Sequence, residues 1–210
     1  MNIPATDRER LNSCRHHAPH DFYGWHQGTV RTRRPGAEAV ELVTATETIA
    51  MTQVGDDIWE APLAVESDYR LRITYPGQPA VEVADGYHFL PTLGTLDQHL
   101  IGEGRHERLW DVLGANLKTY TTDMGTVTGT AFAVWAPNAE GVAVVGDFCG
   151  WNPTQFPMRS LGSTGIWEVF IPGVGEGERY KFAVHGKNSP RIDKADPLAK
   201  RTIAPPETAS

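Results

Sequence analysis

The sequence has no apolar run longer than a few residues, and a membrane-crossing helix needs about 20. Residues 1–10 are polar and contain no apolar core of a signal peptide, so no secretory signal is read there. No stripe of Lys and Arg occurs, and the net charge is −7 with a pI of about 5.6. That balance excludes nucleic acid as an expected partner, because phosphate backbones demand a basic face. Cysteine is scarce: Cys14 and Cys149 are the only two among 210 residues. Two cysteines so far apart are no disulfide framework, and a reducing cytoplasm is the expected compartment. Helical periodicity is weak, whereas 21 Gly and 15 Pro favour short strands and tight turns.

What is present centres on residues 130–196. Phe132 and Val134 fall on one face of an extended segment, Ala133 and Trp135 on the other. Ala136-Pro137-Asn138 stops it, since proline cannot donate to a ladder and Asn tolerates turn geometry. A second apolar run covers 142–145, and Gly146-Asp147 opens a loop carrying Phe148, Cys149, Trp151 and Asn152. Residues 166–171 alternate at period two, and Tyr180, Phe182 and Val184 alternate with Lys181, Ala183 and His185. Short alternating segments punctuated by Gly and Pro predict an all-β sandwich.

Residues 22–91 hold a weaker copy of this module. Val40, Leu42 and Val43 parallel 142–145, Ile58-Trp59-Glu60 repeats as Ile166-Trp167-Glu168, Tyr69 to Ile73 parallels Tyr180 to Val184, and Asp85 parallels Asp196. The offsets fall near 100–110 residues, a domain-length duplication and not a solenoid period of about 20–50. The first copy lacks the aromatic loop. Thr6 and Glu9 have capping-box spacing, which predicts a short helix over 7–13. Cys14, His16, His17 and His20 invite a zinc reading, but the spacing is too compressed for a zinc site, and a polar connector is the alternative. Between the copies, Leu109, Val112 and Leu113 have helical spacing ahead of Gly114, which predicts a helix over 103–113. Trp110, beside that stripe, is placed between the two domains.

Trp151 is the sharpest candidate for chemistry. A flat indole on a loop offers a face to the apolar side of a glucose ring, worth on the order of 1–2 kcal/mol by apolar burial. The alternative is that it plugs the sandwich edge. Lys181 points away from the Tyr180/Phe182/Val184 face and is either a donor to sugar hydroxyls or simply solvated. Trp59 and Trp167 read as core. No catalytic carboxylate pair is defensible. Arg191-Ile192-Asp193 faintly matches a glycosidase nucleophile motif, but such a site needs a second carboxylate about 5–5.5 Å away on a barrel of about 250 residues. Gly173 to Glu178 lacks the Lys-Ser/Thr of a phosphate loop, and its acids would repel phosphate. No metal or cofactor is expected.

Taken together, FAVWAPNAEGVAVVGDFCGWN, Pro157-Met158-Arg159, GIWEVFIPG, Tyr180-Lys181-Phe182, Ala195-Asp196-Pro197, PPETAS and PTLGTLDQHLIGEGRHERLWDVLGA resemble the N-terminal part of bacterial 1,4-α-glucan (glycogen) branching enzymes. The resemblance implies two β-sandwiches, the second a family 48 carbohydrate-binding module, ahead of a catalytic (β/α)₈ barrel that this chain lacks. It places the family's glucan-contacting Trp on Trp151, beside Asn152, and its Lys on Lys181. The loop Asn is replaced by Cys149, and the second stacking Trp falls near Asn188. The fold expected is all-β: two tandem immunoglobulin-like β-sandwiches joined by a short helical linker. The divisions are an N-terminal helical and polar segment (1–21), a first sandwich (22–96), a linker (97–125), a second sandwich (126–203) and an exit linker (204–210). The chain alone is expected to be inactive, with α-1,4-glucan or glycogen and an intramolecular barrel as partners. The alternatives are a stand-alone glucan-binding or regulatory module, or a docking region without sugar affinity.

Overall fold

The computed structural model describes residues 3–187, 189–204 and 208–210. Helix α1 (Ala5–Asn12) opens the chain. Eight strands follow: β1 (Gly24–His26), β2 (Thr29–Arg33), β3 (Ala39–Val43), β4 (Thr48–Ala50), β5 (Thr52–Gly55), β6 (Ile58–Pro62), β7 (Arg70–Thr74) and β8 (Val81–Ala84). After helix α2 (Thr95–Gly102) come β9 (Gly114–Thr122), β10 (Gly125–Trp135), β11 (Ala139–Gly146), β12 (Arg159–Ser160), β13 (Ile166–Pro172), β14 (Tyr180–Gly186) and β15 (Ile192–Lys194). No helix among the described residues is long and apolar enough to cross a membrane.

The strands form two pairs of facing sheets, all with antiparallel pairing. Sheets β1-β2-β6-β5 and β4-β3-β7-β8 meet over Val30, Leu42, Trp59, Leu71 and Ile73. Sheets β12-β13-β10-β9 and β11-β14-β15 meet over Phe132, Val144, Trp167, Val169 and Phe182. Period-two alternation produces this, since one residue in two faces the partner sheet. Both copies carry the same lock. The Tyr69 hydroxyl donates to Asp85 at 2.9 Å, and the Tyr180 hydroxyl donates to Asp196. The second oxygen of each carboxylate accepts a backbone N–H two residues on, from Tyr87 and Leu198.

Three expectations are corrected. The helix predicted over 103–113 lies earlier, at Thr95–Gly102, because Gly102 and Gly104, the latter left-handed at φ +67, end it. Leu109 and Val112 still pack on Leu93, Ala133 and Ile166, from a single 3₁₀ turn. Residues 114–122, assigned to the linker, form β9, which pairs with β10 along its whole length. The polar alternation of this strand hid it. Trp110 is 55% exposed and does not sit between the sandwiches. At the N-terminus α1 covers nearly the predicted span, but Thr6 lies inside it and no side chain caps it.

The sandwiches are tied together. Phe89, Tyr120 and Phe170 pack mutually at 4.9 Å between ring centres. Gly86 lies so close to the Phe170 carbonyl that a Cβ would stand 2.2 Å from that oxygen. Glu168, fully buried on β13, pairs with Arg159 and accepts from the Thr92 hydroxyl at 3.0 Å, while Arg159 also donates to the Phe89 carbonyl at 3.1 Å. The N-terminal arm is more than a connector. Arg15 donates to Glu140 and to the Gly186 and Ser189 carbonyls at 2.8–2.9 Å, clamping the second sandwich. Residues 208–210 likewise fold back: Ser210 and Tyr180 exchange both backbone hydrogen bonds. The Cys14 thiol is buried, which pushes its pKa up to about 11 despite nearby Arg33, so it stays protonated at neutral pH.

Two predictions follow from this packing. Glu168→Ala leaves the mostly buried Arg159 guanidinium without its carboxylate and should cost about 3 kcal/mol in urea unfolding; a loss below about 1 kcal/mol would contradict the tie. His20 has neither ring nitrogen partnered, and burial, helped by the Arg159 charge, lowers its pKa to about 2. Between that value and the unfolded value of about 6.5, the unfolded chain binds the extra proton. Stability should therefore fall as pH drops below about 6.5, by at most about 1.4 kcal/mol per pH unit for this group. His20→Phe, which keeps the edge contact with Tyr87, should flatten that slope between pH 7 and 5; an identical slope would refute the assignment.

Candidate functional site: an indole on the outer sheet face

Sheet β11-β14-β15 has one face in the core and one outside. Register sets which residues face out: Val145 opposite Lys181, Ala143 opposite Ala183, and Gly141 opposite His185. These side chains are small except for Lys181 and His185, and Ala143, Val145 and Ala183 form a shallow floor that is itself buried, with Cys14 and Arg15 lying against its Gly141 end. The loop after β11 lays Trp151 on it, against Ala143, Val145 and Ala183.

The loop is built for that placement. Phe148 anchors it by packing against the core beside Phe132 and Phe156. Cys149, buried, closes the turn: its thiol bonds the Gly146 carbonyl at 3.4 Å and the sulfur accepts the Gly146 N–H at 3.3 Å. Gly150 and Trp151 then both take left-handed backbone angles, φ 56 and 61. For a non-glycine residue this costs roughly 1–2 kcal/mol, offset here by bonds that hold the residue. The Trp151 N–H donates to the Gly146 carbonyl at 3.0 Å, and its indole N–H donates to Asp147 Oδ1 at 3.0 Å. Arg179 grips the same carboxylate from β14's approach, Nε to Oδ2 at 2.7 Å. The Arg179 hydrogen bonds, with a smaller contribution from the indole, hold the Asp147 pKa below the usual range. Its contribution to the loop is thus present above about pH 4, the unfolded value, and is lost as pH falls through the depressed folded value.

Trp151 is half-buried, lying on the outside of a sheet and not between the two sheets. Lys181 stands on the same outer face, its ammonium donating to the Thr208 hydroxyl at 2.8 Å. Asn152 is half-buried, and its side-chain oxygen is taken up by the Thr154 N–H and hydroxyl at 3.0 and 2.8 Å. Asn188 lies outside the described residues. The structure thus brings Trp151 and Lys181 to one face and turns the Asn152 oxygen inward to the loop. Sequence reasoning missed Asp147, Arg179 and Thr208; no local pattern announces a partner 32 residues away.

Residues 4–87 match the family model of the alpha-1,4-glucan branching enzyme GlgB N-terminal domain. Residues 112–199 match that of carbohydrate-binding module 48 (isoamylase N-terminal domain). The chain belongs to the N-terminal region of the GlgB branching-enzyme family. It is 60% identical to the 1,4-alpha-glucan branching enzyme GlgB of Corynebacterium diphtheriae, over 95% of this chain and 28% of that protein. It is 58% identical to that of Corynebacterium efficiens, over 99% of this chain and 29% of that protein, and 53% identical to that of Rhodococcus jostii, over 98% and 29%. The chain thus spans under a third of the length of these GlgB relatives. The indole floor, Trp151 and Lys181 all lie within the segment matched as a carbohydrate-binding module.

Asp147→Ala removes the acceptor of the indole and the partner of Arg179. The Trp151 indole proton should then exchange with solvent faster in NMR spectra while the unfolding midpoint barely moves. Unchanged protection would show that the loop does not depend on this carboxylate.

Proposed function

We propose that this chain is the non-catalytic N-terminal part of a 1,4-α-glucan branching enzyme of glycogen biosynthesis, and that it binds or orients α-1,4-glucan on the outer face of its second sandwich. The observation that carries the reading is the indole of Trp151, held half-buried over a floor of small side chains beside Lys181. Glucose rings have apolar C–H faces that stack on such a surface, and an ammonium beside it donates to ring hydroxyls. The catalytic carboxylates of the parent enzyme would lie on the barrel that follows in the family, and this part would brace it. Trp110, Leu117 and Trp135, each more than half exposed, are large apolar side chains free to meet that barrel.

Titration of the chain with maltoheptaose, followed by tryptophan fluorescence, tests the sugar half of this reading. A saturable response at millimolar sugar is expected, abolished in Trp151→Ala and weakened about threefold to tenfold in Lys181→Ala, the net scale of one exposed hydrogen bond. No response in the unmodified chain would leave only the bracing role. A response that survives Trp151→Ala would move the sugar elsewhere.

A further inference from the structure

The motif Arg191-Ile192-Asp193, unsuited to catalysis, has a different place in the fold. Strand β15 is the third strand of sheet β11-β14-β15, and Asp193 stands opposite Ala183. Ala183 faces outward under Trp151, so Asp193 faces outward too, one strand spacing of about 4.8 Å further across the same face. Arg191 holds it in a two-point pair, Nε to Oδ1 at 2.6 Å and Nη2 to Oδ2 at 2.8 Å. Both side chains remain about a third exposed, 31% and 33%.

This geometry leaves a particular set of groups facing solvent. The pair uses two of the five guanidinium N–H donors and two of about four carboxylate lone-pair sites. Donors and acceptors therefore remain side by side in one plane, already fixed by the pair. That pattern suits two adjacent hydroxyls of a sugar, one donating to the carboxylate and its neighbour accepting from the guanidinium. At the register position between them stands Ala183, which carries only a methyl group and underlies Trp151. The pair carries no net charge, which suits a neutral ligand. Having been ordered before the ligand arrives, it also loses little side-chain freedom on binding.

We infer that Asp193 and Arg191 form a second sugar subsite beside Trp151, taking paired hydroxyls of the neighbouring glucose unit of the same α-1,4-glucan. The inference rests on the glucan reading of the Trp151 face. It supplies a polar second contact where Asn188, by sequence, offers no stacking ring.

The test is calorimetric titration of the 210-residue chain with maltoheptaose. Asp193→Ala and Arg191→Ala should each weaken binding about fivefold to tenfold, the net scale of one ordinary hydrogen bond. The double variant should be little weaker than either single one, because the two side chains act as a unit. Arg108→Ala breaks the exposed pair with Asp111 and should leave affinity unchanged. Unfolding midpoints near that of the parent chain keep the comparison fair, and Asp193→Asn, which keeps the shape and one acceptor, should recover part of the affinity. Parent binding that is lost in Trp151→Ala but stays within about twofold in Asp193→Ala and Arg191→Ala overturns the subsite alone. A parent chain that binds no maltoheptaose overturns the glucan reading and this inference with it.

Discussion

A carboxylate with no exposure to water, Glu168, decides how the molecule is laid out. It sits on the outer face of sheet β12-β13-β10-β9, between Ile166 and Phe170 along β13, and an unpaired charge there would be costly. Arg159 on the adjacent strand and Thr92 beyond the first sandwich satisfy it. Those bonds bring the segment after the first sandwich onto this face, and Phe89, Leu93 and Ala84 cover what remains. One sheet of the second sandwich is therefore closed by the first. The other sheet, β11-β14-β15, has its outer face covered by the Cys14–Arg15 arm at the Gly141 end and by the half-buried indole over Ala143, Val145 and Ala183.

The duplication shows which parts belong to the scaffold and which do not. The Tyr69–Asp85 and Tyr180–Asp196 bonds recur at the same separation of 16 residues, and Trp59 and Trp167 occupy matching strands in the two cores. The aromatic loop has no counterpart in the first copy, where β3 pairs with the short β4 at the corresponding edge. A loop free of any role in the common lock can hold a strained Trp151, stabilised by the Gly146 carbonyl, by Asp147 with Arg179, and by packing on Ala143, Val145 and Ala183. The first sandwich and the N-terminal arm brace the second: Tyr87 donates to the Pro157 carbonyl at 3.1 Å, and Arg15 straps its far edge.

Much of this was legible in the sequence, because strand alternation reports directly on burial. Phe132, Val144, Phe182 and their counterparts Val30, Leu42 and Leu71 all lie where period two puts them. The outward direction of Lys181 followed from the same rule. Strand β9 escaped because its half-buried positions include Lys118 and Thr122 while Leu117 is exposed, giving no apolar signal, and α2 was misplaced because the apolar stripe at 109–113 packs from a turn. The partners of the loop were beyond reach, since the Asp147–Arg179 pair and the Lys181–Thr208 contact join residues far apart in sequence. Arg191-Ile192-Asp193 was visible as a motif, but only the register of β15 against β14 shows which face it occupies.

The most direct measurement is amide NMR of the chain during addition of maltoheptaose, with every shifted resonance placed on the fold. Shifts confined to Ala143, Val145, the loop from Asp147 to Asn152, Lys181 to His185 and the strand carrying Asp193 are the expected result. Shifts centred on the first sandwich, or on the closed sheet β12-β13-β10-β9, would contradict the account.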